Sequence, residues 1–125
     1  MTRIFSGRRV LVVEDESLVA MLLETILSDM GCEIVGPASN VQDGLRVASQ
    51  ATALDAALLD VNVAGQKVFP IAEALKARGV PFVFSTGYGE SGLPEIWRGN
   101  PTIQKPFTEA AIHDALMNAL NLRAV

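Results

Sequence analysis

Four short apolar runs in this chain each lead into a residue with chemistry to offer. Val10-Leu11-Val12-Val13 runs into Glu14-Asp15, Ala57-Leu58-Leu59 into Asp60, Phe82-Val83-Phe84-Ser85 into Thr86, and Thr102-Ile103-Gln104 into Lys105-Pro106. Strands that are apolar at consecutive positions are those covered on both faces, as in a parallel sheet. In an open α/β sheet, ligands bind in the crevice outside the carboxyl ends of the strands. Residues distant in sequence are therefore expected to converge as three carboxylates, one hydroxyl and one ammonium, a set suited to a hard cation and a phosphoryl group.

The rest of the chain supplies the crossovers. Apolar runs alternate with helix-period segments, in five units of about 25 residues, close to what a βα unit needs. Strands are expected at Arg9 to Glu14, Glu33 to Pro37 and Leu54 to Asp60. Ser17 is read as the cap of a helix reaching Met30, with Leu18, Met21, Leu22, Ile26 and Leu27 at helical spacing and Gly31 beyond its end. Asn40 and Val41 open a second helix carrying Leu45, Val47 and Ala48. After a loop with Gly65, a third helix is expected from Gln66 to Arg78, with Pro70 tolerated in its first turn. Between Thr86 and Lys105 the chain is rich in glycine and proline, so the fourth helix shrinks to a turn around Pro94 to Arg98. Thr108 caps the last helix, whose stripe is Ile112, Leu116, Ala119 and Leu120. Right-handed crossovers together with the strand order 2-1-3-4-5 then give a flavodoxin-like, doubly wound (βα)5 sheet.

Size and charge narrow the function. A chain of 125 residues fits one domain, read here as 1–125 with no output module, and half of its residues are apolar. A net charge of −4 argues against a nucleic-acid surface, which would carry a basic stripe. Cys32 is the only cysteine, so no intrachain disulfide forms, and it reads as a small buried hydrophobe. No signal peptide and no membrane-length apolar run are present, and the expected location is the cytoplasm.

At these residues the chain resembles the receiver domains of bacterial two-component response regulators, over nearly its whole length. A finer resemblance lies in Leu59-Asp60-Val61-Asn62-Val63-Ala64-Gly65, Phe84-Ser85-Thr86-Gly87-Tyr88 and Gln104-Lys105-Pro106-Phe107. These look like the stand-alone receivers with a Phe-Ala-Thr-Gly signature, which often serve HWE-type sensor kinases. Ser85 stands in place of the alanine, and Gly89 where a second aromatic is expected. The resemblance implies Asp60 as phospho-acceptor, Lys105 as the charge-stabilising lysine and Thr86 as the switch hydroxyl. It implies Mg²⁺ held by Asp15, Asp60 and the carbonyl of Asn62, with Glu14 acting through water. It also implies a cis peptide before Pro106, and as partners a sensor histidine kinase and a downstream protein target.

The residues alone are open to blander readings. Aspartate is common at turns, Glu14-Asp15-Glu16 suits the start of a helix, and lone lysines are usually solvated. Three neighbouring carboxylates raise one another's pKa unless a cation neutralises them, which is the argument for Mg²⁺. Gly87 leaves room for a donor or a water. Thr102 occupies a position, three before Lys105, that often holds an aromatic switch partner; Phe84, Tyr88 or Trp97 could replace it, although Trp97 reads better as sheet cover. His113 reads as an exposed polar residue. Two rival functions remain: a phosphorylation-independent interaction domain on the same fold, and an aspartate-nucleophile phosphatase. The second wants an acid two positions after the nucleophile, where this chain has Asn62.

Overall fold

The computed structural model describes residues 4–87 and 92–121. Its element order is β1 (Arg9–Val13), α1 (Ser17–Asp29), β2 (Glu33–Ala38), α2 (Val41–Gln50), β3 (Ala56–Asp60), β4 (Asn62–Val63), β5 (Gln66–Lys67), α3 (Phe69–Ala77), β6 (Phe82–Thr86), a 3₁₀ turn (Glu95–Trp97), β7 (Thr102–Gln104) and α4 (Glu109–Ala119). Five strands form one parallel sheet in the order β2-β1-β3-β6-β7. With the small β4–β5 hairpin set aside, this is the expected order 2-1-3-4-5. The expected short fourth helix is the 3₁₀ turn.

Alternation along the strands divides the core in two. Leu11, Val13, Ala57, Leu59, Phe82 and Phe84 face α2, α3 and Trp97. Val10, Val12, Ala56, Leu58, Val83 and Ile103 face α1, α4 and Phe5. Successive side chains of a strand point to opposite faces, so each strand feeds both layers. All five residues of β3 are buried, and so are all five of β6. Trp97 closes the edge of the first layer against Phe69, Phe82 and Phe84, each ring centroid 5.9 Å away. Cys32 is buried in the second layer.

Local chemistry sets most of the boundaries. Asn40 caps α2 by accepting from Asp43 N at 2.8 Å, and Thr108 caps α4 by accepting from Ala111 N at 3.1 Å. Pro70 lies in the first turn of α3. The peptides before Pro37 and Pro106 are both cis.

Four expectations need correction. Ser17 is the first helical residue rather than the cap; Glu16 holds the cap position and its side chain makes no capping bond. The stripe that α1 buries is Ala20, Leu23, Ile26 and Leu27, while Leu18, Met21 and Leu22 are exposed. This helix is apolar on more than one side, so periodicity alone does not decide which stripe meets the sheet. Residues 66 and 67 belong to a hairpin and not to α3, which begins at Phe69. Ala64 and Gly65 both have positive φ, 49° and 80°, the pattern of a two-residue type I′ turn. His113 is only partly exposed, its ring edge-on to Phe5 at 5.4 Å.

Candidate functional site

The carboxyl ends of β1, β3, β6 and β7 meet at one edge of the sheet, and Glu14, Asp60, Thr86 and Lys105 lie there. Lys105 follows β7 and its chain crosses toward the sheet centre. Its ammonium donates to Glu14 Oε1 at 3.1 Å and to Asp60 Oδ2 at 3.2 Å. Glu14 and Asp60 are buried although both can carry charge, a situation that demands hydrogen-bonded partners. Glu14 Oε2 also accepts from Glu16 N at 3.1 Å, and Asp60 Oδ1 accepts from Asn62 N at 3.3 Å. Thr86 is buried at the end of β6, and its carbonyl accepts from Lys105 N at 3.0 Å, which ties the lysine to the strand beside β3.

Asp15 and Asn62 form the rim. Asp15 is exposed and its Oδ2 accepts from Ala64 N at 3.1 Å, so the hairpin tip leans on the acidic turn after β1. Asn62 pairs with Lys67 across the hairpin, and Lys67 Nζ donates to Asn62 Oδ1 at 2.6 Å. Lys67 was not anticipated from the sequence. The available signal was Ala64-Gly65 between two short polar pairs, two residues after the strand that delivers Asp60. Tyr88 and Gly89, singled out in the sequence, lie outside the described residues.

The electrostatics follow from burial. Removal from water raises the pKa of Glu14 from 4.5 to about 7, with the bonds from Glu16 N and Lys105 acting in the opposite sense. Burial likewise raises Asp60, against the pull of the Lys105 charge. Burial alone would lower Lys105, but its bond to Glu14 and the charge of Asp60 outweigh that and leave its pKa raised. The edge of the sheet therefore holds two carboxyl groups that resist ionisation beside an ammonium that resists deprotonation.

Glu14, Asp15 and Asp60 each offer a carboxylate oxygen within 4.8 Å of the others. The donors are all oxygen, one of them at the exposed rim, and they carry more negative charge than the single lysine offsets. That chemistry fits a hard divalent cation that keeps part of its water shell.

Doubly wound topology and an acidic, lysine-bridged strand edge define a class, and the chain falls within it: residues 10–117 match the response regulator receiver domain, and the chain belongs to that family. Receiver domains are signalling modules of two-component systems. Among its relatives, the chain is 30% identical over 115 residues to the phyllosphere-induced regulator PhyR of Methylorubrum extorquens, a match spanning 89% of this chain and 43% of PhyR. Among solved structures, it is similar to the solution structure of SdrG from Sphingomonas melonis Fr1, with 40% identity, a TM-score of 0.81, and coverage of 98% of this chain and all of that one. It is also similar to the BeF3-activated conformation of SdrG from Pseudomonas melonis Fr1, with 40% identity, a TM-score of 0.77, and coverage of 92% and 98%. No helix among the described residues is long and apolar enough to cross a membrane.

Proposed function

We propose that this chain accepts a phosphoryl group from the phosphohistidine of a sensor kinase, of the HWE type, onto Asp60, and passes the signal on by binding a downstream protein. The observation that carries this reading is the Lys105 ammonium held between Glu14 and Asp60 at the edge of a parallel sheet. In the transfer, a carboxylate oxygen of Asp60 bonds to phosphorus as the bond from phosphorus to the donor nitrogen breaks, and the electron pair leaves with the imidazole. Lys105 exchanges Asp60 Oδ2 for a phosphoryl oxygen and balances the charge that gathers there. Thr86 donates its hydroxyl to another phosphoryl oxygen and draws its loop inward. Asp15, Asp60 and the carbonyl of Asn62 would hold Mg²⁺, with Glu14 reaching it through water. When bound, the cation would neutralise the carboxylates and the transferred oxygens. Slow hydrolysis of the acyl phosphate resets the domain.

The uncovered apolar face of α1 supports the protein-donor reading. Leu18, Met21 and Leu22 are exposed on it. A cleft lined by Glu16, Val19, Leu22, Lys105, Pro106 and Phe107 continues from it to the lysine. A kinase that reaches Asp60 from this side would cover that surface.

The test is backbone NMR with Mg²⁺ before and after beryllofluoride, with Asp60→Asn as control. Shifts at Asp60, Thr86 and Lys105 that vanish in the variant are the expected result. No response in the unaltered protein would overturn the reading and favour a phosphorylation-independent interaction domain.

A further inference from the structure

Ser85 is nearly inaccessible, yet its Oγ has no hydrogen-bond partner among the described residues. Burying a hydroxyl in this way costs free energy that an alanine at the same position would not, and alanine is the residue of the signature this chain otherwise resembles. The location is specific. Ser85 is the register partner of Asp60 on β3 and of Ile103 on β7. Neighbouring strands lie roughly 4.8 Å apart, and residues paired in register share a face of the sheet. Ser85 therefore stands one strand from Asp60, on the route that the Lys105 side chain crosses to reach Asp60 and Glu14. Lys105 has three N–H donors, of which these two bonds use two.

We propose that Ser85 is a positioning residue of the phosphoryl site, with its hydroxyl completing a bridge between Lys105 and Asp60 once Asp60 carries the phosphoryl group. In the resting site Lys105 is committed to the two carboxylates. When it turns one N–H from Asp60 Oδ2 to a phosphoryl oxygen, Ser85 Oγ accepts another of its N–H groups and donates its own proton to the carbonyl oxygen that Asp60 retains. The unpaired hydroxyl is thus a partner kept for the loaded state. This inference rests on Asp60 being the phospho-acceptor and adds to that reading a residue that neither the sequence pattern nor the resting contacts assign.

The discriminating pair is Ser85→Thr and Ser85→Val, which have the same shape and differ only in the hydroxyl, compared with the unaltered chain and Ser85→Ala. Asp60 phosphorylation by acetyl phosphate in Mg²⁺ is followed by intact-protein mass spectrometry. The expected result is about three- to tenfold slower phosphorylation in the valine and alanine variants, the worth of one hydrogen bond, with the threonine variant close to the unaltered chain. The Lys105 ¹³Cε shift induced by beryllofluoride should follow the same division, which a merely structural role would not produce. If the bulkier pair does not fold, Ser85→Ala against the unaltered chain decides by both measurements. Equal rates and equal Lys105 shifts in proteins that all become phosphorylated would overturn the role of Ser85 alone. A chain that is never phosphorylated would overturn it together with the receiver reading.

Discussion

Glu14 sits in an environment far from that of a glutamate in water, and this has a consequence for pH. The unfolded carboxyl titrates near 4.5 and the folded one near 7, so between those values the folded protein keeps a proton that the unfolded chain has released. Stability of the metal-free protein should therefore be greatest below about pH 4.5 as far as this group is concerned, and should fall as pH rises toward 7. Chemical denaturation in a chelator at a series of pH values is expected to show that decline, and Glu14→Gln should make it shallower. A wild-type profile without such a slope would mean that Lys105 compensates the buried charge fully. These residues were legible because each ends an apolar run. The bonds of Asp15 to Ala64 N and of Asn62 to Lys67 were not, since both arise from a turn whose backbone, and not whose composition, brings the groups together.

Helix α1 and the β4–β5 hairpin are where periodicity and turn chemistry diverged from the outcome, and both can be probed. On α1 the two apolar stripes should respond oppositely. Leu23→Ala removes a buried side chain and is expected to cost about 2–5 kcal/mol, whereas Leu18→Gln or Leu22→Gln should stay within about 0.5 kcal/mol of the parent. Urea denaturation midpoints measure the contrast. The sequence could not rank these stripes because both are leucine-rich, and the choice is made by the sheet surface that the helix covers. At the hairpin, Gly65 has φ +80° with open space around it, so a side chain there meets conformational strain and no clash. Gly65→Val should cost about 1–2 kcal/mol and, if the proposed site holds Mg²⁺, should weaken its binding measured by calorimetry by disturbing the Ala64 contact with Asp15. Unchanged affinity would show that Asp15 needs no support from the turn. The caps at Asn40 and Thr108 and the place of Pro70 were legible because each has one inexpensive local solution.

The order of the five strands, which alternation and handedness narrow but do not fix, brings β1 and β3 side by side, with Glu14 and Asp60 at their ends. From the sequence, Trp97 already reads as cover for the sheet where the fourth crossover lacks a full helix, but the rings it meets there were not legible. It lies parallel to Phe69 and edge-on to Phe82 and Phe84, with Lys76 Nζ 5.8 Å from its ring centre. It is also the chain's only tryptophan. The protein accordingly carries its own optical probe: an indole shielded from water, whose emission should be blue-shifted and poorly quenched by acrylamide in the folded state and should redden as the chain unfolds. Phe84 directly precedes Ser85 and Thr86 on β6, so the same lamp illuminates the strand that ends at the proposed phosphoryl site, and a change in its brightness on adding beryllofluoride would time the proposed switch without any label.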